Sequence, residues 1–112
     1  MAFASHPLRS PEDERVLDEV RRTVVRALAG LRGRVYLIGS WVSGGRRNSS
    51  DIDIAVEMRA ALPPAVLARL REALEESHVP QRVDVVDLAE VDASLRERAL
   101  LEGQLWIELA KD

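Results

Sequence analysis

Two kinds of apolar periodicity divide the chain into seven predicted elements. In three segments apolar residues recur every three or four positions, which indicates amphipathic helices, and four shorter runs are continuous or alternate with polar residues, as strands do. The helical segments are 10–33, 62–78 and 89–103, and the strand segments are 34–40, 51–58, 81–88 and 104–109. The order α-β-β-α-β-α-β predicts an α/β (α+β) fold around a mixed sheet.

Terminal signals support the first and last helical segments. Ser10 is a predicted N-cap, Pro11 occupies the first helical position, and acidic residues fill the first turn. Gly30 or Gly33 is predicted to end this helix, and Gly103 is predicted to end the last one.

Length and composition indicate one ordinary domain. The 112 residues suffice for a single hydrophobic core, so 1–112 is predicted to be one domain, with residues 1–9 as a flexible tail. The absence of cysteine excludes disulfides, zinc knuckles and thiol catalysis. No apolar run resembles a signal peptide or a membrane span, which predicts a cytoplasmic protein without a membrane partner.

Charge is distributed unevenly along the chain. Residues 1–50 contain nine arginines and five acidic residues, whereas residues 51–112 contain seven basic and fourteen acidic residues. The two halves therefore carry formal charges of +4 and −7. A protein that binds duplex nucleic acid is normally basic, so the sequence gives no direct indication of nucleic-acid binding, while a local acidic cluster could hold a hard cation.

The segment "DIDIAVEM" carries two carboxylates on one face of a predicted strand. Side chains alternate across a strand, so Asp51 and Asp53 share one face while Ile52 and Ile54 face the core. Two like charges so close together repel, and either arginines or a metal ion must compensate them. Carboxylate oxygens suit Mg²⁺, which also keeps positions for water and substrate phosphates.

The same parity brings in a third carboxylate. If Val83 and Val85 of "VDVVDL" are buried, Asp84 lies on the face of Asp51 and Asp53, and Asp87 lies on the opposite face. Three aspartates from two strands form a plausible site for one or two metals, which in two-metal sites lie about 3.5–4 Å apart.

A glycine-rich segment precedes the first aspartate pair. If a short helix begins within residues 41–45, its free N–H groups point at the same corner of the fold, Gly39 allows close approach, and the Ser40 hydroxyl adds a donor. Gly44 and Gly45 permit the turn back to Asp51. This order of glycine, serine and aspartate describes a triphosphate cradle followed by metal ligands, the chemistry of phosphoryl or nucleotidyl transfer.

The stretch "GSWVSGGRRNSSDIDIAV", residues 39–56, resembles the signature of the nucleotidyltransferase superfamily related to DNA polymerase β. The small size and the "VDVVDL" and "LLEGQLWIEL" segments resemble its minimal nucleotidyltransferase (MNT) branch, and the similarity extends from about residue 14 to 109. The resemblance implies the nucleotidyltransferase fold, a mixed sheet of about four strands with helices packed mainly on one face.

The resemblance also implies roles for individual residues. Gly39 and Ser40 would hold the nucleotide phosphates, and Asp51 and Asp53 would bind Mg²⁺. Ser50 matches the family serine and would also bind the phosphates, with a role in the turn as the alternative. Asp84 would activate the attacking hydroxyl or complete the metal site. All three aspartates are thus predicted to be catalytic residues and metal ligands.

Members of this branch are commonly paired with a HEPN protein, often as antitoxin and toxin, and some transfer AMP from ATP to the partner. The implied function is therefore a Mg²⁺-dependent nucleotidyltransferase that moves a nucleoside monophosphate, AMP from ATP in the first instance, to a hydroxyl of a HEPN-type partner. The implied ligands are ATP or another nucleoside triphosphate and one or two Mg²⁺ ions.

The sequence departs from the family pattern at one point. Members often carry arginines in the spacer after Gly-Ser, where this chain has Trp41 and Ser43, although Arg46 and Arg47 follow closely. This departure favours an alternative function, a noncatalytic module that neutralises a HEPN partner by occlusion. Trp41 is itself predicted to be a core residue rather than a base-stacking one.

Overall fold

The computed structural model describes residues 10–43 and 51–109, with Ser43 described by its backbone only. The predicted tail 1–9 and the predicted phosphate-binding Ser50 lie outside the described residues, as do Arg46 and Arg47. The elements are α1 (Pro11–Ala27), β1 (Gly33–Ile38), α2 (Ser40–Ser43), β2 (Ile52–Met58), α3 (Pro64–Glu76), β3 (Val83–Asp87), α4 (Ala93–Glu102) and β4 (Gln104–Leu109).

The four strands form one mixed sheet in the order β3-β2-β1-β4. β1 pairs antiparallel with both β2 and β4, whereas β2 and β3 pair in parallel. The parallel pair is connected through α3, as a crossover between parallel strands requires. The predicted fold class, a mixed sheet of about four strands, is confirmed.

The sheet has one heavily covered face. Buried apolar side chains of α1 and α3 pack there against alternate residues of β1 and β2, among them Leu37 and Ile54, both fully buried. α4 lies over part of the other face, where Ala99 packs with Tyr36 and Ala55. Two long helices on one face and one shorter helix on the other agree with the prediction that helices pack mainly on one face.

The start of α1 follows the predicted signals, but its end does not. The Ser10 hydroxyl accepts a hydrogen bond from the Asp13 N–H, and the Asp13 carboxylate accepts one from the Ser10 N–H, so the two residues form a capping box. The helix ends at Ala27, earlier than predicted, and a turn stabilised by the Leu31 N–H donating to the Leu28 carbonyl leads to β1. Gly30, with φ of 85°, is part of that turn.

Both tryptophans are core residues, as the sequence predicts. Trp41 on α2 is fully buried, and Trp106 on β4 is almost so. The register between β1 and β4 shifts between Val35 and Tyr36, which face Ile107 and Leu105, and Trp106 lies at this irregularity. Because a bulge breaks the strict alternation of side chains, the adjacent Trp106 and Ile107 are both buried.

Each helix in the described part of the chain falls short of the length and hydropathy that crossing a bilayer requires. The longest, α1, has 17 residues and carries acidic residues in its first turn.

Replacing Trp41 with alanine should lower the free energy of unfolding by about 3–5 kcal/mol, the usual cost of deleting a fully buried aromatic side chain. Leu101→Ala is the control, because the Leu101 side chain is 81% exposed and its loss should change stability by no more than about 0.5 kcal/mol. Urea denaturation of both variants measures the difference. Equal stabilities would contradict the placement of Trp41 in the core.

Candidate active site

Asp53 lies at the centre of a group of predicted site residues. It is the second residue of β2, directly opposite Ile38 at the end of β1 and opposite Asp84 on β3. Its neighbours Ile52 and Ile54 are fully buried on the other face, which fixes the side of the sheet that Asp53 occupies. The structure therefore places Asp53 and Asp84 next to each other on one face, as strand parity predicts.

Asp51 precedes β2 and completes this acidic group. Its side chain is exposed, whereas Asp53 is half-buried. Burial raises the pKa of Asp53 above its ordinary value, and the negative charges of Asp84 and then Asp51 raise it further. A cation bound at this point would offset the repulsion among the three carboxylates.

The Gly39 bend lies against the Asp53 carboxylate. Gly39 directly follows β1 and adopts a left-handed conformation with φ of 79°. A Cβ atom at position 39 would lie 2.7 Å from Oδ2 of Asp53, closer than real Cβ contacts allow. Glycine is therefore required here both by the backbone conformation and by the approach of the carboxylate. Ser40 follows as the first residue of α2 and is partly exposed.

Arg82 holds Asp84 from the start of β3. The Arg82 Nε donates to Oδ1 of Asp84 over 2.9 Å, and the Arg82 carbonyl accepts a hydrogen bond from the Ile52 N–H. The Arg82 side chain is 76% exposed, so the ion pair is well solvated and contributes little to stability. The ion pair nevertheless means that Oδ1 of Asp84 already has Arg82 as a cationic partner.

Asp87 lies on the opposite face from Asp84, as predicted. Its side chain is buried, and its Oδ1 accepts a hydrogen bond from the Ala89 N–H in the turn after β3. This is a structural role within the turn and not a contribution to the acidic group.

A cavity of about 440 Å³ opens beside the Gly39 bend. One wall is formed by Ile38, Gly39 and Ser40, and the other by Leu95, Arg98 and Glu102 of α4. The sequence analysis predicted the helix but connected none of its side chains with the site. The only available signal was that Leu95, Arg98 and Glu102 are spaced three and four apart and so share one helix face.

The carboxylates could hold a metal only together with other ligands. Within residues 10–43 and 51–109, no three histidine or acidic side chains are grouped closely enough to coordinate one ion. Mg²⁺ commonly takes one or two protein carboxylates and completes its shell with water and substrate phosphates. Asp53, with Asp51 or Asp84, fits that donor set, because Asp84 lies directly opposite it on β3 and Asp51 lies two residues before it.

Comparison with protein families gives one match that covers most of the chain. Residues 33–112 match the family described as polymerase beta, nucleotidyltransferase. A Haemophilus influenzae protein named "Probable protein adenylyltransferase MntA" is 38% identical over 63 residues, which are 56% of this chain and 55% of that protein. The chain thus spans about half the length of this curated relative.

Solved structures with the same fold include toxin–antitoxin complexes. One, described as a toxin-antitoxin with AMP-PNP, has a TM-score of 0.64 and 29% identity over 80% of this chain and 71% of its own. Another, a tri-AMPylated Shewanella oneidensis HEPN toxin with its MNT antitoxin, has a TM-score of 0.61 and 26% identity over 83% and 71%. A third, described as a minimal nucleotidyltransferase, has a TM-score of 0.62 and 30% identity over 92% and 100%.

Replacing Gly39 with alanine should destabilise the protein by more than Gly30→Ala does. Both glycines have a left-handed φ, so both variants bear a similar backbone strain of about 1–2 kcal/mol. Only the Cβ at position 39 meets another atom, whereas the one at position 30 has nothing within 4 Å. The difference in unfolding free energy between the variants therefore measures the contact with Asp53. When both glycine variants are made again in an Asp53→Ala background, the difference in their unfolding free energies should be smaller. An unchanged difference would contradict the contact between position 39 and Asp53.

Replacing Asp53 with asparagine should raise the stability of the protein at neutral pH, in the absence of metal and nucleotide. A raised pKa means that the folded state disfavours the charged carboxylate, so removing the charge stabilises it by roughly 0.2–1 kcal/mol, as for other like charges on neighbouring strands. The gain should disappear as the pH falls through the pKa of Asp53. Urea denaturation at several pH values measures the free energy of unfolding. Glu97→Gln is the control, because Glu97 is exposed on α4 and its replacement should leave that free energy unchanged.

Proposed function

The chain belongs to the polymerase beta nucleotidyltransferase family, in its minimal branch, and on that premise we propose that it transfers AMP from ATP to a hydroxyl of a HEPN-type partner protein as the antitoxin of the pair. The observation that carries the proposal is the register that sets Asp53 beside Asp84 while the Gly39 bend lies against Asp53. The bend proposed to bind phosphates thus adjoins a carboxylate that has a second carboxylate beside it.

The substrate and the partner are supported by similarity. The Haemophilus relative is named as a probable protein adenylyltransferase, one structural neighbour contains AMP-PNP, and another contains a tri-AMPylated HEPN toxin. These are properties of those proteins. They favour ATP as the nucleotide and a protein hydroxyl as the acceptor for this chain.

Mg²⁺ is proposed as the cofactor, held by Asp53 and Asp51 with nucleotide phosphates as further ligands. When bound, it neutralises charge on the phosphates and polarises the phosphorus that is attacked. Gly39 and Ser40 bind the outer phosphates through backbone and hydroxyl donors. The phosphate-binding role of Ser50, which lies outside the described residues, stays a prediction. Asp84 accepts the proton of the acceptor hydroxyl or serves as a metal ligand on the acceptor side.

The reaction is a single displacement. The acceptor oxygen forms a bond to the α-phosphorus, the bond from that phosphorus to the bridging oxygen breaks, and pyrophosphate leaves. The chain's own contribution is to position the groups and to neutralise charge, since phosphoryl transfer needs little other assistance from a protein.

One observation favours a noncatalytic alternative. Trp41, at a spacer position where related proteins often have arginine, is fully buried in the core and contributes no charge to the phosphates. A chain lacking that cation could neutralise its partner by occlusion alone, without transferring a nucleotide.

Asp53→Asn should decrease label transfer at least about a hundredfold, because it removes the carboxylate that is central to charge neutralisation at the phosphates. The assay incubates the purified protein and the product of the neighbouring reading frame with Mg²⁺ and ATP labelled at the α-phosphate. Asp18→Asn is the control, because Asp18 lies on α1, on the other face of the sheet, and forms only exposed ion pairs. Occlusion would be supported instead if the wild type transferred no label and the Asp53→Asn variant still neutralised the partner.

A further inference from the structure

The cavity beside the Gly39 bend connects the candidate active site to one cation on α4. Arg98 lines this cavity together with Gly39 and Ser40, the two residues proposed to bind phosphates. We infer that Arg98 is a nucleotide-binding residue whose guanidinium pairs with the phosphates of the nucleoside triphosphate from the α4 side. The inference rests on the proposed function and adds a residue to its nucleotide site.

The charges around the site leave a place for such a cation. The phosphates of ATP must be bound next to Asp51, Asp53 and Asp84, and two of these carboxylates already lie directly opposite each other on β2 and β3. Arg82 is held by Asp84. A triphosphate therefore needs positive charge in addition to a metal ion. The three aspartates do not line the cavity, but Gly39, which contacts Asp53, does, and Arg98 lies across the cavity from it.

Arg98 is available for this contact. Its side chain is exposed and makes no hydrogen bond or ion pair with the residues that the structure describes. Glu102, one turn later on the same helix, also lines the cavity but does not pair with Arg98 in spite of the favourable spacing. An arginine without a partner in a concave site is ready for an anionic ligand and loses no existing ion pair when it binds one.

The position of α4 relative to the Gly39 bend is fixed by close packing. A Cβ atom at Gly103, which ends α4, would lie 2.5 Å from the Ala99 carbonyl oxygen and 2.9 Å from Cγ2 of Ile38. Ala99 itself is buried against the sheet. Gln104, two residues after the end of α4, also pairs with Leu37 of β1, so the C-terminal part of α4, which carries Arg98, is held near the end of β1.

The remaining lining suits the uncharged part of a nucleotide. Ile38, Val42 and Leu95 contribute apolar surface, and the volume of about 440 Å³ lies within the range of roughly 300–1,000 Å³ that small-molecule sites occupy. Apolar side chains next to an arginine suit a ligand with an apolar body and an anionic end, although the carboxylate of Glu102 opposes an anion in this cavity.

The affinity of the chain for a nucleotide analogue tests whether Arg98 binds the phosphates. The variants remove either a positive or a negative charge from the cavity, so they should change the affinity in opposite directions. The probe is ATP with a methylene group between the α- and β-phosphorus atoms, which cannot be cleaved there, and it is titrated with Mg²⁺ at fixed salt into the purified chain. Arg98→Gln should weaken binding about tenfold or more, and Arg98→Lys should recover part of that loss because it retains the charge but not the two-pronged geometry. Glu102→Gln should strengthen binding, since it removes a negative charge from the cavity.

Arg15→Gln is the matched control, because it removes the same charge from an exposed position on α1, on the other face of the sheet, and should leave binding unchanged. In the label-transfer assay, Arg98→Gln should raise the KM for ATP by a similar factor with little effect on kcat, as expected for an interaction made equally in the ground and transition states. A change caused by misfolding would not give opposite effects for Arg98 and Glu102.

Three results would overturn the inference. In the first, Arg98→Gln binds the analogue as tightly as the wild type does. In the second, Arg15→Gln weakens binding as much as Arg98→Gln does. In the third, Arg98→Gln loses label transfer but keeps its affinity for the analogue, which would assign this face of α4 to the partner protein. In each case the wild type still binds nucleotide and the proposed function stands. A wild-type chain that fails to bind the analogue would instead refute the proposed function together with the inference.

Discussion

The central constraint in this structure is that β2 buries one of its faces completely. Ile52, Ile54 and Val56 have no exposed surface, and a strand that commits alternate residues to a core must direct the intervening ones to the other face. Asp53 is one of those residues, and pairing with β3 then brings Asp84 beside it. Burial on one face thus holds two like charges together on the other, although they repel. The arrangement costs some stability and creates a position suited to a cation.

Much of this could be predicted from the sequence because it depends on local rules. The N-cap at Ser10, the alternation around Asp53 and the parity of Asp84 relative to Val85 all follow from helix and strand geometry within a few residues. The order of the predicted elements indicated a mixed sheet, the glycine-rich segment indicated Gly39 and Ser40, and the family resemblance then implied the nucleotidyltransferase fold and the phosphate-binding role. The polymerase beta family match over residues 33–112 and the structural neighbours support the same assignment.

Features that depend on contacts distant in sequence could not be predicted in this way. Strand parity gives the face of Asp53 but not its distance from Gly39, which depends on the antiparallel register of β1 and β2. Nothing in the segment around Arg98 indicates that this side of α4 reaches the end of β1. The early end of α1 at Ala27 likewise reflects the need for the chain to turn back to the sheet, which overrides the helical periodicity that continues to Leu31.

The close packing at Gly103 has a consequence for how this small domain could change shape. α4 ends at Glu102 and β4 begins at Gln104, so Gly103 is the single residue between this helix and a strand that pairs with β1. The C-terminal end of α4 therefore cannot swing out as a lid unless that strand pairing breaks. A ligand that enters the cavity beside Gly39 finds the helix wall and the strand wall already joined at one end, so little ordering of the protein needs to accompany its binding.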